Sequence, residues 1–352
     1  MMKILFGVFD WGLGHATRDT PIIKELLKKN EVHIISTGRA LKILKDNFKT
    51  KCKYYDVPSL YPIYTKTKTN IFQIDFALAI PNIIKSLKSA REKSKDIINK
   101  GFDIVISDCR YDVYDTPKNS YLINHQLRFK TILGAERLTE KWLANRMEKY
   151  KYVLVPDFPK KNLTGRLSHE LRYFPKNKVK YLGILSHIKK SNLKQDIDYF
   201  FSLSGPERTR IELEKNILFQ IDKLKGKIVI AGGNPDVESK EISKNIEFHS
   251  FLNKNEQEKF MNRAKFLIIR SGYTTLMEIV ELDKKALLIP SPGQTEQEYL
   301  ADYYEEQGYF HHVHQNKLNL KEDIKISSKF KGFKAPWKTE ESIKKFIKII
   351  NS

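Results

Sequence analysis

Cysteine is nearly absent from this chain: Cys52 and Cys109 are the only two, and nothing about their spacing is of the metal-binding kind. That excludes a disulfide framework and fits a reducing cytoplasm. Long apolar runs are also missing. None approaches the roughly 20 residues that a membrane-crossing helix needs, so any membrane contact is expected to be peripheral, on the inner face of the cell membrane. The opening "MMKILFGVFDWG" is interrupted too early to read as a signal peptide. Acidic residues are under-represented, 42 against 63 basic ones, leaving a net charge of +21. A solvated, Lys-rich surface accounts for that charge without any partner. The sharper alternative is an anionic partner, either a nucleotide or an anionic membrane surface. The basic residues are spread along the chain with no aromatic-basic RNA signature, so no specific nucleic acid is expected.

What is present is a repeated grammar. Short apolar runs at 3–9, 31–37, 103–108, 121–124 and 152–158 read as buried strands, with helical patterns at 22–29 and 83–99 between them. The same alternation restarts with strands at 199–204, 227–233, 246–251, 265–272 and 285–292, and helices at 207–224 and 274–282. This βαβα order predicts two α/β domains, each a doubly wound, Rossmann-like parallel sheet, facing each other across a cleft. The expected domains are 1–187 and 199–338, joined by a polar, basic linker at 188–198. A final helix within 339–352, with Thr339 as its N-cap, is a candidate to pack back on the first domain. Ligands of such sheets bind at the carboxyl ends of strands, which directs attention to three loops.

The first loop is Gly12-Leu13-Gly14-His15. Thr17 stands where a dinucleotide fingerprint has its third glycine, so this is not that fingerprint. Its helix starts either near Gly14, with a kink at Pro21, or after Thr20-Pro21. The glycines let backbone approach a ligand. His15, with an ordinary pKa near neutrality, suits a general base, and the plainer alternative is a histidine that packs at a strand end. Arg18 suits a phosphate or an ordinary surface. The second loop, "SLSGPERTR" at 202–210, offers Ser204, Gly205 and backbone amides to an anion, or is simply the turn that opens a helix. The third is "RSGYTTLMEIVELDKKALLIPSPGQTEQEYLADYYEEQG" at 270–308. Ser271 and Gly272 end a strand, and Tyr273, Thr274 and Thr275 open a helix whose amides suit a diphosphate. Glu278 one turn on suits ribose hydroxyls, and Glu296 and Gln297 suit sugar hydroxyls.

That ordered set resembles the donor-binding segment of GT-B glycosyltransferases, most closely family 28, the group that makes lipid II in bacteria. The resemblance implies a GT-B fold and a nucleotide-sugar donor. It assigns Ser271, Gly272 and Thr275 to the nucleotide side, Glu278 to the ribose and Gln297 to the donor sugar. The His-tipped loop of the family matches Gly12, Gly14 and His15, and "INHQ" at 123–126, with His125, resembles its second cleft loop near the acceptor. It further implies a base near Phe251 and Leu252, a diphosphate on amides 204–206 and 271–275, and His15 deprotonating a hydroxyl, with Asp108 either orienting it or contacting the acceptor. No cofactor is expected beyond the donor substrate. No metal is expected either, since "DVYD" at 112–115 is the nearest thing to an Asp-X-Asp cluster. The donor is expected to be UDP-linked, with an N-acetylhexosamine, and the acceptor a glycan or a lipid-linked hydroxyl. The mixed apolar and basic segment 65–95 is either a core helix with a solvated Lys face or a surface that touches an anionic membrane. The competing readings are a nucleotide-sugar 2-epimerase of the same fold, a non-catalytic donor-binding subunit and a basic nucleic-acid-binding protein.

Overall fold

The computed structural model describes residues 1–58, 72–130, 134–234 and 240–352. The chain divides into two compact units, Met1–His187 with Pro336–Ser352, and Ile188–Ala335. Each unit is built on its own seven-stranded sheet.

In the first unit the strands are β1 (Lys3–Val8), β2 (Glu31–Ser36), β3 (Cys52–Asp56), β4 (Ile104–Asp108), β5 (Ser120–Ile123), β6 (Tyr152–Val155) and β7 (Val179–Tyr181). Their order is β3-β2-β1-β4-β5-β6-β7, all parallel. Helices α1 (Gly14–Leu26), α2 (Gly38–Phe48), α3 (Phe72–Ile98) and α4 (Glu136–Arg146) cross between them. The central strands are uniformly apolar because both faces are covered: Ile4, Leu5, Phe6, Ile34, Ile35 and Ile106 are sealed from solvent. β3 and β7 escape the sequence reading because "CKYYD" and "VKY" are mixed edge strands without an apolar run. Much of the 65–95 segment, including every side chain before Pro81, lies outside the described residues.

The first helix settles the two starts left open by the sequence. α1 begins at Gly14 and runs through Pro21. Proline removes one ladder hydrogen bond there. The helix instead ties its first turns with hydroxyls: Thr17 Oγ1 donates to Leu13 O at 3.1 Å and Gly14 O at 2.9 Å, and Thr20 Oγ1 to Ala16 O at 2.8 Å.

The second unit holds β8 (Ile197–Ser202), β9 (Ile228–Ala231), β10 (Lys240–Ser243), β11 (Ile246–His249), β12 (Ala264–Ile269), β13 (Lys285–Leu288) and β14 (His311–His312). Their order is β10-β11-β9-β8-β12-β13-β14, with only the β10–β11 pair antiparallel. Its helices are α5 (Glu207–Gln220), α6 (Lys254–Arg263), α7 (Tyr273–Leu282), α8 (Thr295–Glu306) and α9 (Leu320–Ser327). Phe201, Ile230, Ile268 and Leu287 of the sheet pack with Leu213 and Ile217 of α5 and Leu320 of α9.

Residues 336–352 return to the first unit. Thr339 is not the N-cap of the last helix, α10 (Thr339–Ile350); Lys338 is. The Thr339 hydroxyl is used elsewhere, accepting the Ser186 N–H at 3.0 Å. Trp337 Nε1 donates to Leu182 O at 2.8 Å, and its ring meets Phe158 edge-on.

In both sheets the strand order reverses once near the middle. The reversal lies between β1 and β4 in the first unit and between β8 and β12 in the second. Connections leave such a pair in opposite directions, opening a crevice at the carboxyl ends. The loops at those ends are the ones that hold His15 and Asp108 in the first unit, and Ser204 and Ser271 in the second.

Candidate active site

Asp108 is the last residue of β4, opposite Val8 of β1, and is fully buried. The next residue, Cys109, takes a left-handed backbone with φ 54°. Gly12 also has positive φ, +77°, and the space around it is open, so its glycine serves the turn rather than a close contact. That turn delivers His15 to the second position of α1. Its Nδ1 lies 2.7 Å from Asp108 Oδ2, and its ring meets Phe9 edge-on.

Arg18 lies one turn further along α1 and is 1% exposed. This corrects the expectation that it stands ready for an acceptor phosphate. Its Nε donates to Asp108 Oδ2 at 3.1 Å, its Nη2 to Asp108 Oδ1, and its Nη1 to His125 Nδ1 at 3.1 Å. A guanidinium only donates, so His125 Nδ1 accepts and that ring's proton sits on Nε2. Arg18 Nη2 is also 2.9 Å from His15 Nδ1, but the acceptor-only carboxylate at 2.7 Å claims that nitrogen. His15 therefore donates from Nδ1 to Asp108 and carries a bare lone pair on Nε2.

The electrostatics agree with a neutral ring. Burial lowers the pKa of His15, and Arg18 and His125 push the same way. Asp108 offsets only part of this. Burial opposes ionisation of Asp108, but Arg18 and His15 outweigh it and hold the carboxyl well below the usual carboxylate range. The cluster thus contains a neutral imidazole on a charged carboxylate, the arrangement that makes a proton acceptor of Nε2. His15, Asp108 and Cys109 also bring ligand-type atoms within 4.8 Å of one another. A cation there would meet the Arg18 guanidinium, whose Nη2 also lies 3.9 Å from Cys109 Sγ, so these residues do not fit a metal.

In the second unit another buried arginine, Arg270, ties three strand ends together. It donates to Ser204 O and Thr209 O after β8, to Ile289 O and Pro290 O after β13, and to Gln315 Oε1, at 2.9–3.2 Å. None of these acceptors is a carboxylate, and burial pulls its pKa down to about 10. Around it Ser204 and Gly205 are exposed. Gly205 has φ +103°, and a Cβ there would meet Ser291 Oγ at 3.0 Å. Ser271 is buried, with its Oγ donating to Gln297 O at 2.8 Å. Gly272 is the N-cap of α7, which has no side-chain cap, and the start of a helix is a setting that suits an anion.

Thr274 and Thr275 are half-buried in that first turn, and Glu278 is only 3% exposed. Gln297 holds its own loop: its Oε1 accepts the Ser291 N–H at 3.0 Å, and its Nε2 donates to Gln294 Oε1. Glu296 is half-buried in the first turn of α8. Phe251 is half exposed and Leu252 buried, just before the Asn253–Glu256 capping box of α6. The structure therefore gathers His15, Arg18, Asp108 and His125 into one cluster, and the loops of Ser204, Gly205, Ser271, Gly272 and Gln297 around Arg270. Sequence reasoning missed the part played by Arg270. Its signal was a charged residue closing the apolar strand "KFLIIR", where only a paired or hydrogen-bonded cation survives burial.

Each half of the chain matches a glycosyltransferase family. Residues 2–127 match the Glycosyl transferase family 1 model, and residues 209–351 match the Glycosyltransferase family 28 C-terminal domain. The chain is a glycosyltransferase with the GT-B fold, and its second half is similar to family 28. An uncharacterized glycosyltransferase of Methanosarcina mazei is 26% identical over 335 residues, spanning 88% of this chain and 84% of its own length. Two solved structures share the fold. MurG of Acinetobacter baumannii has a TM-score of 0.61 at 13% identity, covering 99% of this chain and 100% of its own. The UDP-GlcNAc 2-epimerase of Methanocaldococcus jannaschii has a TM-score of 0.60 at 14% identity, covering 99% of both chains. This glycosyltransferase has no helix, among the described residues, long and apolar enough to cross a membrane.

Proposed function

We propose that the enzyme takes its sugar from a UDP-linked donor, an N-acetylhexosamine in the favoured reading, and passes it to a lipid-linked hydroxyl. No metal takes part. The observation that carries this is the 2.7 Å contact between His15 Nδ1 and Asp108, which leaves His15 Nε2 free to take the proton of an acceptor hydroxyl. The charge that develops on that imidazole in the transition state is met by the Asp108 carboxylate.

The second unit holds the donor. Its diphosphate is received by the amides after β8 and at the start of α7, with the Arg270 cation beneath them. These dipoles and that charge stabilise the departing diphosphate in place of a metal ion. The nucleotide base lies by Phe251 and Leu252, the ribose by Glu278, and the donor sugar by Glu296 and Gln297. A lipid-linked acceptor is supported by α4, which exposes Leu138 at 70% and Trp142 at 42% beside the exposed Arg137 and Lys141. Apolar and aromatic side chains among cations are the composition of an interfacial helix facing anionic lipid.

The test is a thermal-shift screen against UDP, GDP, TDP, CDP and their sugars, since a ligand of the native state raises the melting temperature. UDP-sugars should give the largest shift, and no shift from any nucleotide would sink the donor assignment. Release of an epimer or free sugar with no acceptor present would identify a 2-epimerase instead. Binding to anionic vesicles at low salt, lost at high salt, is expected; its absence removes the lipid reading.

A further inference from the structure

Asp19 has no part in the chemistry above, yet it stands inside the same cluster. It follows Arg18 on α1 and is fully buried. Both of its carboxyl oxygens are sealed from solvent and accept no hydrogen bond from the described residues. The adjacent cation gives it no hydrogen bond: Arg18 turns Nε and Nη2 to Asp108 and Nη1 to His125, and both Asp19 oxygens stay without a partner among the described residues. The charged groups that act on Asp19 are Asp108, at the end of β4, and Arg18 on its own helix. Cys109, the residue after Asp108, also feels the Asp19 carboxyl. Helices α2 and α10 also pack against α1, but no charged side chain of theirs acts on Asp19.

A carboxylate in that position would be desolvated, without donors, and beside a second carboxylate whose counter-ion is already spent. Buried groups so placed neutralise rather than ionise, and of two neighbouring carboxyls one keeps its proton. We propose that Asp19 stays protonated at neutral pH and donates its hydroxyl proton to the Asp108 carboxylate, as a positioning residue that sets the charge around His15. Burial and the neighbouring Asp108 both push the Asp19 carboxyl well above its ordinary range, in agreement with this assignment.

The consequence concerns the base. With Asp19 neutral, Arg18 and Asp108 cancel and His15 sits in a cluster of no net charge. An ionised Asp19 would add an unbalanced negative charge, draw a proton onto His15 and occupy Nε2. Its functional meaning rests on His15 being the base; its proton does not, and the two fail separately.

The test needs no substrate. The infrared spectrum of the full-length protein at neutral pH should contain the carbonyl stretch of a protonated carboxyl, and Asp19→Asn should remove it. The His15 ring, followed by NMR, should titrate at the same midpoint in Asp19→Asn, a neutral mimic that still donates. In Asp19→Leu, Asp108 loses a donor and the midpoint should rise by about half a pH unit. No neutral-carboxyl band, or a His15 midpoint that falls by about one unit in Asp19→Asn, would overturn the proposal. If the variants fail to fold, the parent decides. A band that persists from about pH 5 to about pH 9 supports a held proton, and one that appears only in acid refutes it. A His15→Ala enzyme that still transfers sugar would remove the base assignment and leave the Asp19 band in place.

Discussion

Arg18 and Arg270 are both 1% exposed and both sit where a strand order reverses, yet they are satisfied in opposite ways. Arg18 is neutralised by a carboxylate; Arg270 is held by carbonyl and amide oxygens and keeps its charge unbalanced. The difference teaches what each site offers. In the proposed reading, the first has consumed its cation internally and offers an uncharged base, and the second stores positive potential near backbone amides for an anion.

Removing the carboxylate should break the first arrangement most severely. Asp108→Ala leaves Arg18 buried without a counter-ion, at a cost of about 3–5 kcal/mol, read as a lowered denaturation midpoint. Transfer should vanish even in the fraction that stays folded. Removing the base alone separates chemistry from binding. His15→Ala should lower the transfer rate by about 10²–10⁴-fold while the nucleotide-induced thermal shift is unchanged. A lost shift would place His15 in donor binding.

Arg270→Met tests the other side. It strands no carboxylate, so stability should fall by only about 1–3 kcal/mol, from carbonyls left without a donor. Nucleotide-diphosphate affinity, measured by calorimetry, should fall about tenfold or more. Equal affinity in the two proteins would show that the charge is structural only. pH sharpens the contrast from the first unit. Because burial lowers the His15 pKa, the base is neutral over more of the acid range. kcat/KM should fall only below the ordinary histidine value of about 6.5, as protonation fills Nε2. A midpoint above that value would mean the Asp108 pull dominates. The smallest effect belongs to Gly205→Ala, which forces a side chain onto positive φ and against Ser291. It should cost about 1 kcal/mol and weaken nucleotide binding slightly, whereas Gly12→Ala, in open space, should cost stability alone.

The sheets were legible because buried parallel strands announce themselves as apolar runs between helices, and the loops followed from strand ends. The charges were not. Arg18 looks like a surface residue because its partner, Asp108, is 90 positions away, and no local pattern reports such a distance. Asp19 did leave a trace: it stands three and four residues before Ile22 and Ile23 and seven before Leu26, on the stripe that faces the core. A carboxyl on that stripe is either paired or protonated. Thr339 misled because a threonine before a helical run is the usual cap, while this hydroxyl had a tertiary partner to bind. The conformation of Cys109, left-handed without being glycine, has no local sequence signal at all.

The return of residues 336–352 to the first unit has a consequence for synthesis. Trp337, Thr339 and α10 are parts of that unit, so it cannot be completed when its first 187 residues have emerged. The ribosome must first make all of Ile188–Ala335, a delay on the order of ten seconds at ordinary rates of elongation. During that interval the surfaces that Trp337 and α10 later cover stand open, and the second unit, whose chain is contiguous, can finish folding first.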